Sequence, residues 1–299
     1  MELVHSGFVA FVGRPNAGKS TLVNALVGVK VAITSDTPQT TRHRLRAVID
    51  RDDSQMVVID TPGLHKPHDA LGEELNRSAL LALSDVDAAC LCIDATKPVG
   101  TGDAWVAAHL ARSKAPALLV ITKADIADEQ TIEAQMEAAE KLLPFEHRVV
   151  VSAVSGLNLG TLVEVLEGLL PEGPRYFPRD MRTDQPLEVM IAEFIREKVL
   201  RATFDEVPHA VGVALDDLEF DEKAGLARIA AVIYVERESQ KGIIIGKGGV
   251  MIKRVGTEAR EDLERLLGMR VFLDLRVKVK KDWRRDAAQI RRFGYGEGL

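Results

Sequence analysis

Residues 13–20 fit the pattern Gly-x-x-x-x-Gly-Lys-Ser/Thr, which wraps the phosphates of a bound nucleotide. An apolar run at 8–12 precedes this segment and a helix-forming run at 21–26 follows it, which is the setting that distinguishes a phosphate-binding loop from a glycine-rich turn. The two glycines let successive backbone amides point at phosphate oxygens, the lysine supplies charge, and the serine hydroxyl can ligate magnesium. The predicted phosphate-binding residues are Gly13, Arg14, Pro15, Asn16, Ala17, Gly18, Lys19, Ser20 and Thr21.

A second group of polar residues follows the apolar run at 56–59. An aspartate at the end of such a strand can hold magnesium through water, and a glycine amide three residues later can sense a terminal phosphate. A strand-ending turn of this composition is common by itself, but its place downstream of a phosphate loop favours a functional role. The predicted residues are Asp60, Thr61, Pro62, Gly63 and Leu64.

The segment 35–44 lies between these two motifs, is polar, and lacks an apolar period, so we expect a mobile loop. A hydroxyl of Thr40 or Thr41 would complete the magnesium shell when the terminal phosphate is present. The sequence does not choose between the two threonines. The predicted metal ligands are therefore Ser20, Thr40, Thr41 and Asp60.

The segment Thr122-Lys123-Ala124-Asp125 follows an apolar strand and predicts a base-binding loop. A carboxylate at Asp125 can accept from the two adjacent donors on the Watson–Crick edge of guanine, and adenine has no such pair of donors. Lys123 would lie along the phosphate loop and the base. Ser152 and Ala153, after a further strand, would offer a backbone amide to the guanine oxygen.

Strands and helices alternate over residues 7–170, which predicts an α/β domain with a mostly parallel sheet and helices on both faces. Ligands of such sheets bind at the carboxyl ends of the strands, where all of the motifs above fall. Candidate strands lie at 8–12, 44–50, 55–60, 87–93, 117–121 and 147–151, and candidate helices at 19–28, 70–83, 101–113, 129–143 and 158–170.

Prolines cluster around 171–186 and predict a stiff linker before a second, smaller α+β domain. That domain contains Gly246-Lys247-Gly248-Gly249, a Gly-x-x-Gly loop of the kind that clamps about four nucleotides of single-stranded nucleic acid in KH domains. An amphipathic helix and a strand with a largely basic outer face follow the loop. The predicted RNA-binding residues are Ile245, Gly246, Lys247, Gly248, Gly249, Lys253, Arg276, Lys278 and Lys280.

The charge distribution also points to a polyanionic partner for the end of the chain. Residues 241–299 hold 15 Lys/Arg against 8 Asp/Glu, although the whole chain of 299 residues has a net charge of −6. Cys90 and Cys92 alternate in an apolar run, which predicts reduced core residues of a cytosolic protein. Apolar runs are too short to span a bilayer, and no signal-peptide pattern opens the chain.

Taken together, these motifs resemble the Era family of bacterial GTPases, through the nucleotide-binding and KH motifs and over nearly the whole chain. The resemblance implies a P-loop GTPase domain at 1–172, a linker at 173–185, a type II KH domain at 186–282 and a basic tail at 283–299. It implies GTP and GDP as ligands, and magnesium. In several relatives an asparagine at the position of Asn16 ligates potassium, and the alternative for Asn16 is an ordinary exposed loop residue. The resemblance further implies 16S ribosomal RNA and 30S subunit assembly, in a cytoplasmic monomer with peripheral contact to the inner membrane.

Two departures from the family pattern affect these expectations. Thr122 stands where related GTPases have asparagine, so we expect weaker base affinity while Asp125 preserves the choice of guanine. Leu64 stands where Ras-like enzymes have a water-orienting glutamine, so we expect slow hydrolysis and assign no general base.

Two other functions compete with a GTP-hydrolysing RNA-binding switch. One is a metabolic P-loop enzyme such as a nucleotide kinase, which the base-binding motif disfavours. The other is an RNA-binding module with a vestigial nucleotide site. Trp283, in the basic tail, is expected to pack against the domain rather than stack on RNA.

Overall fold

The computed structural model describes residues 3–67 and 69–295. They form two compact units. The first comprises the described residues up to Thr34, those from Thr41 to 67, and Gly72–Asp184. The second comprises Ser35–Thr40, Asp69–Leu71 and the chain from Gln185 onward. The predicted domain boundaries stay predictions, and the last part of the predicted tail, 296–299, lies outside the described residues.

The first unit is built on one sheet. Its strands are Val4–Val12 (β1), Leu45–Asp50 (β2), Ser54–Asp60 (β3), Ala88–Asp94 (β4), Ala117–Thr122 (β5), His147–Val150 (β6) and Glu172–Gly173 (β7). They run in the order β2-β3-β1-β4-β5-β6. The five strands from β3 to β6 in this order are parallel to one another, whereas β2 is antiparallel to β3 and the two-residue β7 is antiparallel to β1. The prediction of an α/β domain with a mostly parallel sheet is confirmed.

Helices cover both faces of this sheet, and each face has its own apolar core. One core contains Val9, Phe11, Cys90 and Cys92, and the other contains Ala10, Val12, Leu91 and Ile93. This alternation follows from the pleat, because successive side chains of one strand point to opposite faces. The helices are Lys19–Val27 (α1), Ala70–Leu81 (α2), Thr101–Leu110 (α3), Glu129–Glu140 (α4) and Leu159–Glu167 (α5).

The proline-rich segment packs along the edge of the sheet in the first unit. The amide of Val48 in β2 donates to the carbonyl of Arg182 at 2.9 Å, and the Thr183 hydroxyl donates to the carbonyl of Arg46 at 2.8 Å. Gln55 accepts from the amides of Tyr176 and Phe177 at 2.7 and 2.9 Å. The proline content of this segment predicts an extended backbone. That backbone lies beside β2, the edge strand, and bonds to backbone groups that β3 leaves unpaired.

The second unit contains Leu187–Ala202 (α6), Gly212–Asp221 (β8), Leu226–Val235 (β9), Glu238–Ile245 (α7), Val250–Leu267 (α8), Arg270–Val279 (β10) and Ala287–Arg292 (α9). Its three strands form a sheet in the order β10-β9-β8, with β10 parallel and β8 antiparallel to the central β9. The order of elements from α6 to β10, α-β-β-α-α-β, is that of a type II KH domain, as predicted. The helix α7, before the glycine-rich loop, was not predicted.

The end of the described chain folds against the sheet of the second unit. Trp283 is fully buried, and its indole N–H donates to the carbonyl of Ala210 at 2.8 Å. The rings of Phe293 and Trp283 meet edge to face at 4.9 Å. Trp283 therefore packs within the domain, as expected from the sequence. In the described part of the chain, every helix is too short or too polar to cross a bilayer.

Candidate functional site

The phosphate loop, residues 13–20, connects β1 to α1 and has a tightly specified backbone. Gly18 takes a φ of 80° at the N-terminus of α1, a conformation that favours glycine. A Cβ on Gly63 would lie 2.6 Å from the Pro15 backbone, so only glycine allows the loop after β3 to approach so closely. The amide of Leu64 donates to the carbonyl of Gly13 at 3.2 Å and fixes this contact.

Lys19 begins α1 and is buried in the loop. Its ammonium group donates to the carbonyls of Gly13 and Arg14 at 3.1 and 3.0 Å. Burial lowers the pKa of Lys19, and the negative charge of Asp60 opposes that shift. The positive charge thus lies within the curl of the backbone, where successive amides and the N-terminus of α1 also favour an anion.

Oxygen atoms of three side chains meet beside the phosphate loop. The Ser20 hydroxyl donates to Oδ2 of Asp60 at 2.6 Å, and the Thr41 hydroxyl lies 2.8 Å from the Ser20 hydroxyl. Burial raises the pKa of Asp60 to about 6, against the bond from Ser20 and the charge of Lys19. Its Oδ1 is buried without a hydrogen-bond partner among the described residues. Hard oxygen donors of this kind suit Mg²⁺.

Thr40, the other threonine predicted as a possible metal ligand, is placed differently. Its hydroxyl donates to the carbonyl of Thr37 at 2.6 Å and lies 2.6 Å from the Ser35 hydroxyl, within the Ser35–Thr40 part of the second unit. Its carbonyl accepts from the buried guanidinium of Arg196 in that unit. Of the two threonines, Thr41 is the one that lies with Ser20 and Asp60.

Thr61 and Leu64, which follow Asp60, have structural contacts within the first unit. The Thr61 hydroxyl donates to the carbonyl of Phe11 at 2.8 Å and joins β3 to β1. Leu64 is 1% exposed and belongs to the apolar core. A buried aliphatic side chain cannot orient an attacking water.

A cavity of about 140 Å³ opens beside the phosphate loop, at the ends of β5 and β6. It brings together the phosphate loop and the predicted base-binding residues, which lie about 100 residues further along the chain. Mixed apolar walls with one carboxylate suit a heterocyclic base. The lining residues are Gly18, Thr21, Leu22, Thr122, Lys123, Asp125, Ile126, Val151, Ala153 and Val154.

Thr122 connects three segments of the first unit. Its buried hydroxyl lies 2.9 Å from the carbonyl of Ala17 in the phosphate loop and 3.0 Å from the carbonyl of Ile93 in β4. A hydroxyl has one proton and donates fully to one of these carbonyls at a time. Thr122 therefore ties the phosphate loop to the sheet with a single donor.

Asp125 is oriented by the loop that follows β6. The Ser152 hydroxyl donates to its Oδ1 at 2.6 Å. The amide of Ser152 donates to the carbonyl of Leu157 at 3.2 Å and is therefore engaged, while Ala153 lines the cavity. Of the two residues predicted to offer a backbone amide to the base, Ala153 is the one that lines the cavity.

Two acidic residues at the site were not predicted from the sequence, Asp103 and Asp94. Asp103 of α3 pairs with Arg14 of the phosphate loop at 2.8 Å. Asp94, the last residue of β4, pairs with Lys123 at 2.7 Å. A single aspartate at a strand end or in a helix carries no distinctive pattern, so neither role could be read from spacing alone.

In the second unit, the glycine-rich loop forms a short exposed turn between α7 and α8. Gly246, Gly248 and Gly249 take φ values of 73°, 63° and 80°. A Cβ on Gly246 would also come within 2.8 Å of the Met251 side chain. Lys247 is exposed at the tip. The backbone here is open to the close approach of a phosphate chain.

The nine predicted RNA-binding residues do not all lie on one surface. Lys247 and Lys253 are exposed at the loop and on the first turn of α8. Leu275 in β10 faces α8, since its side chain lies 3.6 Å from a Cβ placed on Gly256. Side chains alternate along the strand, so Arg276 and Lys278 lie on the opposite face of the sheet, where both are exposed. Lys280 is also exposed and follows the last residue of β10.

A phosphate loop beside a cavity that contains a carboxylate, followed by a KH domain, defines a GTPase joined to an RNA-binding domain. The family models described as "50S ribosome-binding GTPase" and "KH domain" match residues 8–123 and 206–284. The chain is 47% identical over 300 residues to GTPase Era of Mycobacterium sp. (strain JLS), covering 99% of this chain and 100% of that one. The chain belongs to the Era family of GTPases.

Solved structures agree with this assignment. A variant of Era from Aquifex aeolicus bound to GDP and AlF4⁻ superposes with a TM-score of 0.94 at 38% identity, over 98% of this chain and all of that one. Era in complex with MgGDPNP and nucleotides 1506–1542 of 16S ribosomal RNA gives a TM-score of 0.95 with the same identity and coverage. The prediction of a GTP-hydrolysing enzyme is confirmed.

Proposed function

We propose that this GTPase binds 16S ribosomal RNA through its KH domain, acts in assembly of the 30S subunit, and changes its RNA affinity with the bound nucleotide. The observation that carries the proposal is that one chain has both a guanine-type cavity beside a phosphate loop and an exposed Gly-x-x-Gly turn. A relative of 38% identity was solved with a 16S fragment bound. Nothing in the described residues suggests chemistry on RNA itself.

Magnesium would be held by Ser20, Thr41 and Asp60. The buried, unpartnered Oδ1 of Asp60 and two adjacent hydroxyls are the donors that this ion prefers. This ion would supply positive charge that offsets the negative charge of the phosphates. Two residues of the chain would contact the phosphates. Lys19 binds the outer phosphates, and the close contact between Gly63 and Pro15 brings the Gly63 amide beside the phosphate loop.

We propose slow intrinsic hydrolysis, because Leu64 is buried and leaves the attacking water without a side chain to orient it. A potassium ion beside Asn16 would supply positive charge near the phosphates. Asn16 lies in the phosphate loop, where its backbone takes a φ of 63°. Turnover measured in potassium and in sodium at equal ionic strength tests the role, and equal rates would contradict it.

The central experiment compares RNA affinity in the two nucleotide states. A fluorescent 16S 3′-end RNA is titrated with the full chain bound to GDPNP or to GDP, with a scrambled RNA of equal length as the control. We expect tighter binding of the 16S sequence in one state than in the other. Equal affinity in both states would contradict a switch, and equal affinity for the scrambled RNA would contradict the RNA target.

Lys19→Ala separates this proposal from an RNA-binding module with a vestigial nucleotide site. The variant is expected to lose nucleotide binding by about 100-fold or more, since the phosphates lose their positive partner. RNA binding by the KH domain should persist, and Lys114→Ala, an exposed lysine, serves as the control. A wild-type chain that binds GTP without hydrolysing it would favour the vestigial site. Displacement of GTP by ATP at similar concentrations would favour a metabolic kinase.

We also propose that the protein is cytoplasmic, because its proposed ligands, GTP and ribosomal RNA, are found in the cytoplasm. We further propose that it is a monomer. Peripheral contact with the inner membrane would use the exposed arginines near the end of the chain, Arg285, Arg291 and Arg292. Binding to vesicles with and without anionic lipid tests this contact, and sedimentation tests the oligomeric state.

A further inference from the structure

Asp94 is a buried carboxylate that the nucleotide-binding motifs do not include. It ends β4, is 3% exposed, and lies opposite Thr122 in the register of the sheet. One oxygen, Oδ1, accepts from the amide and hydroxyl of Thr96 at 3.0 and 2.6 Å. The other, Oδ2, accepts from the ammonium of Lys123 at 2.7 Å, and Lys97 lies farther away at 3.9 Å. Each carboxylate oxygen of Asp94 therefore accepts from a different residue, Oδ1 from Thr96 and Oδ2 from Lys123.

Lys123 has an uncommon backbone conformation, and its side chain lies beside the phosphate loop. Its backbone takes a φ of 60°, a left-handed conformation that is uncommon for a residue with a Cβ. Its side-chain stem crosses the phosphate loop, because Cε lies 3.9 Å from a Cβ placed on Gly18. Lys123 also lines the cavity with Asp125. The stem therefore forms a wall between the loop and the base, and its position depends on what holds the ammonium.

The nearest acidic residue in sequence, Asp125, does not hold this ammonium in the structure. Asp125 is bonded to Ser152 instead, and Lys123 reaches back to the neighbouring strand. Pairing with Asp94 keeps the lysine charge away from the carboxylate that must accept from guanine. Burial alone raises the pKa of Asp94, but the bonds from Lys123 and Thr96 outweigh it and lower that pKa below its usual value. The carboxylate is accordingly charged at neutral pH.

We propose that Asp94 is a positioning residue for guanine-nucleotide binding, which acts by fixing the Lys123 side chain between the phosphate loop and the base. Asp94 is not among the residues that line the cavity. Its loss therefore affects affinity and not the chemical step. The inference rests on the cavity being the guanine site.

The test is a double-mutant cycle in the full chain. In Asp94→Asn the side-chain oxygen can still accept from Thr96, while the amide NH2 replaces the oxygen that accepted from Lys123. We expect Kd for GDP to rise about tenfold, with kcat at saturating GTP unchanged. In a Lys123→Met background, the same substitution should change Kd by less than twofold. Thr96→Val, which removes a bond on the other oxygen only, should change Kd by less than twofold.

Several results would overturn the proposal. Asp94→Asn could leave Kd unchanged, or weaken binding equally with and without Lys123, which is the behaviour of a purely structural residue. If Asp94→Asn does not fold, as judged by its melting temperature, Asp94→Glu replaces it in both backgrounds, because it keeps the charge and moves it by one methylene. Failure of the guanine-site assignment is distinguishable, since Lys123→Met alone would then leave Kd unchanged.

Discussion

The Ser152 hydroxyl donates to Oδ1 of Asp125 across 2.6 Å, joining the loops after β5 and β6. The amide of Ala124 also donates to the carbonyl of Val151 at 3.2 Å, so backbone and side chain bring the two loops together. Because Ser152 is fully buried, it has little freedom to point elsewhere. Asp125 itself is exposed, and its orientation toward the cavity depends on this bond.

Ser152→Ala should weaken guanine nucleotides without changing base selectivity. A hydrogen bond to a charged group contributes about 1.5–3 kcal/mol, so we expect Kd for GDP to rise about tenfold or more. The preference for GDP over XDP should persist, since the carboxylate is still present. Titration calorimetry with both nucleotides measures the effect, with Ser155→Ala, an exposed serine in the same loop, as the control. An unchanged Kd would mean that Asp125 is oriented by other contacts.

Asp125→Asn should instead change selectivity. The amide offers a donor where the carboxylate offered an acceptor, which suits the carbonyl of xanthine and leaves a guanine donor facing a donor. We expect XDP to bind more tightly than GDP, with each lost bond contributing about 1.5–3 kcal/mol. Competition between GDP and XDP for the variant is the measurement. Retained preference for guanine would show that another group recognises the base.

Thr122→Asn should strengthen nucleotide binding, because it restores the second donor that the threonine lacks. The carbonyls of Ala17 and Ile93 lie 2.9 and 3.0 Å from one hydroxyl. An amide NH2 can donate to both, and one additional bond is worth about 1 kcal/mol, or about fivefold in Kd. Thr122→Val, which has neither donor, should bind about fivefold less tightly than the wild type. If the asparagine variant binds less tightly than the wild type, steric crowding at this buried position outweighs the added bond.

The sequence predicted the strands that are buried on both faces. It did not predict residues whose role depends on contacts with distant parts of the chain. Buried parallel strands such as β4 and β5 are continuous apolar runs, so they were identified, whereas β1 begins at Val4, earlier than predicted, because His5 and Ser6 interrupt the pattern. α7 was missed because its apolar residues at 243–245 are consecutive and lack helical spacing. Spacing alone could not choose between adjacent threonines or find the partner of Lys123.

The two cysteines should be unreactive in the folded protein. Cys90 and Cys92 are fully buried in β4, and burial raises the pKa of Cys92 to about 12 and that of Cys90 well above its usual value. The nucleophilic thiolate is therefore scarce at pH 8. We expect iodoacetamide to label neither thiol in the native chain and both in guanidinium, with Lys114→Cys as an exposed positive control. Native labelling of Cys90 and Cys92 at the rate of that control would contradict the buried placement.

Gly248→Asp should remove RNA binding and leave the nucleotide site intact. Gly248 is exposed at a φ of 63°, and a Cβ there would meet no atom within 4 Å. Asparagine and aspartate both tolerate left-handed backbone better than other residues, so Gly248→Asn and Gly248→Asp differ mainly in charge.

A negative charge beside an RNA phosphate replaces attraction with repulsion, and we expect Kd for a 16S 3′-end RNA to rise about tenfold more in Gly248→Asp than in Gly248→Asn. GTP hydrolysis without RNA should match the wild type in both variants, which excludes global unfolding as the cause. The difference between the two RNA affinities should shrink at high salt, because screening weakens charge repulsion. Equal RNA binding by both variants would place the RNA phosphates away from this turn.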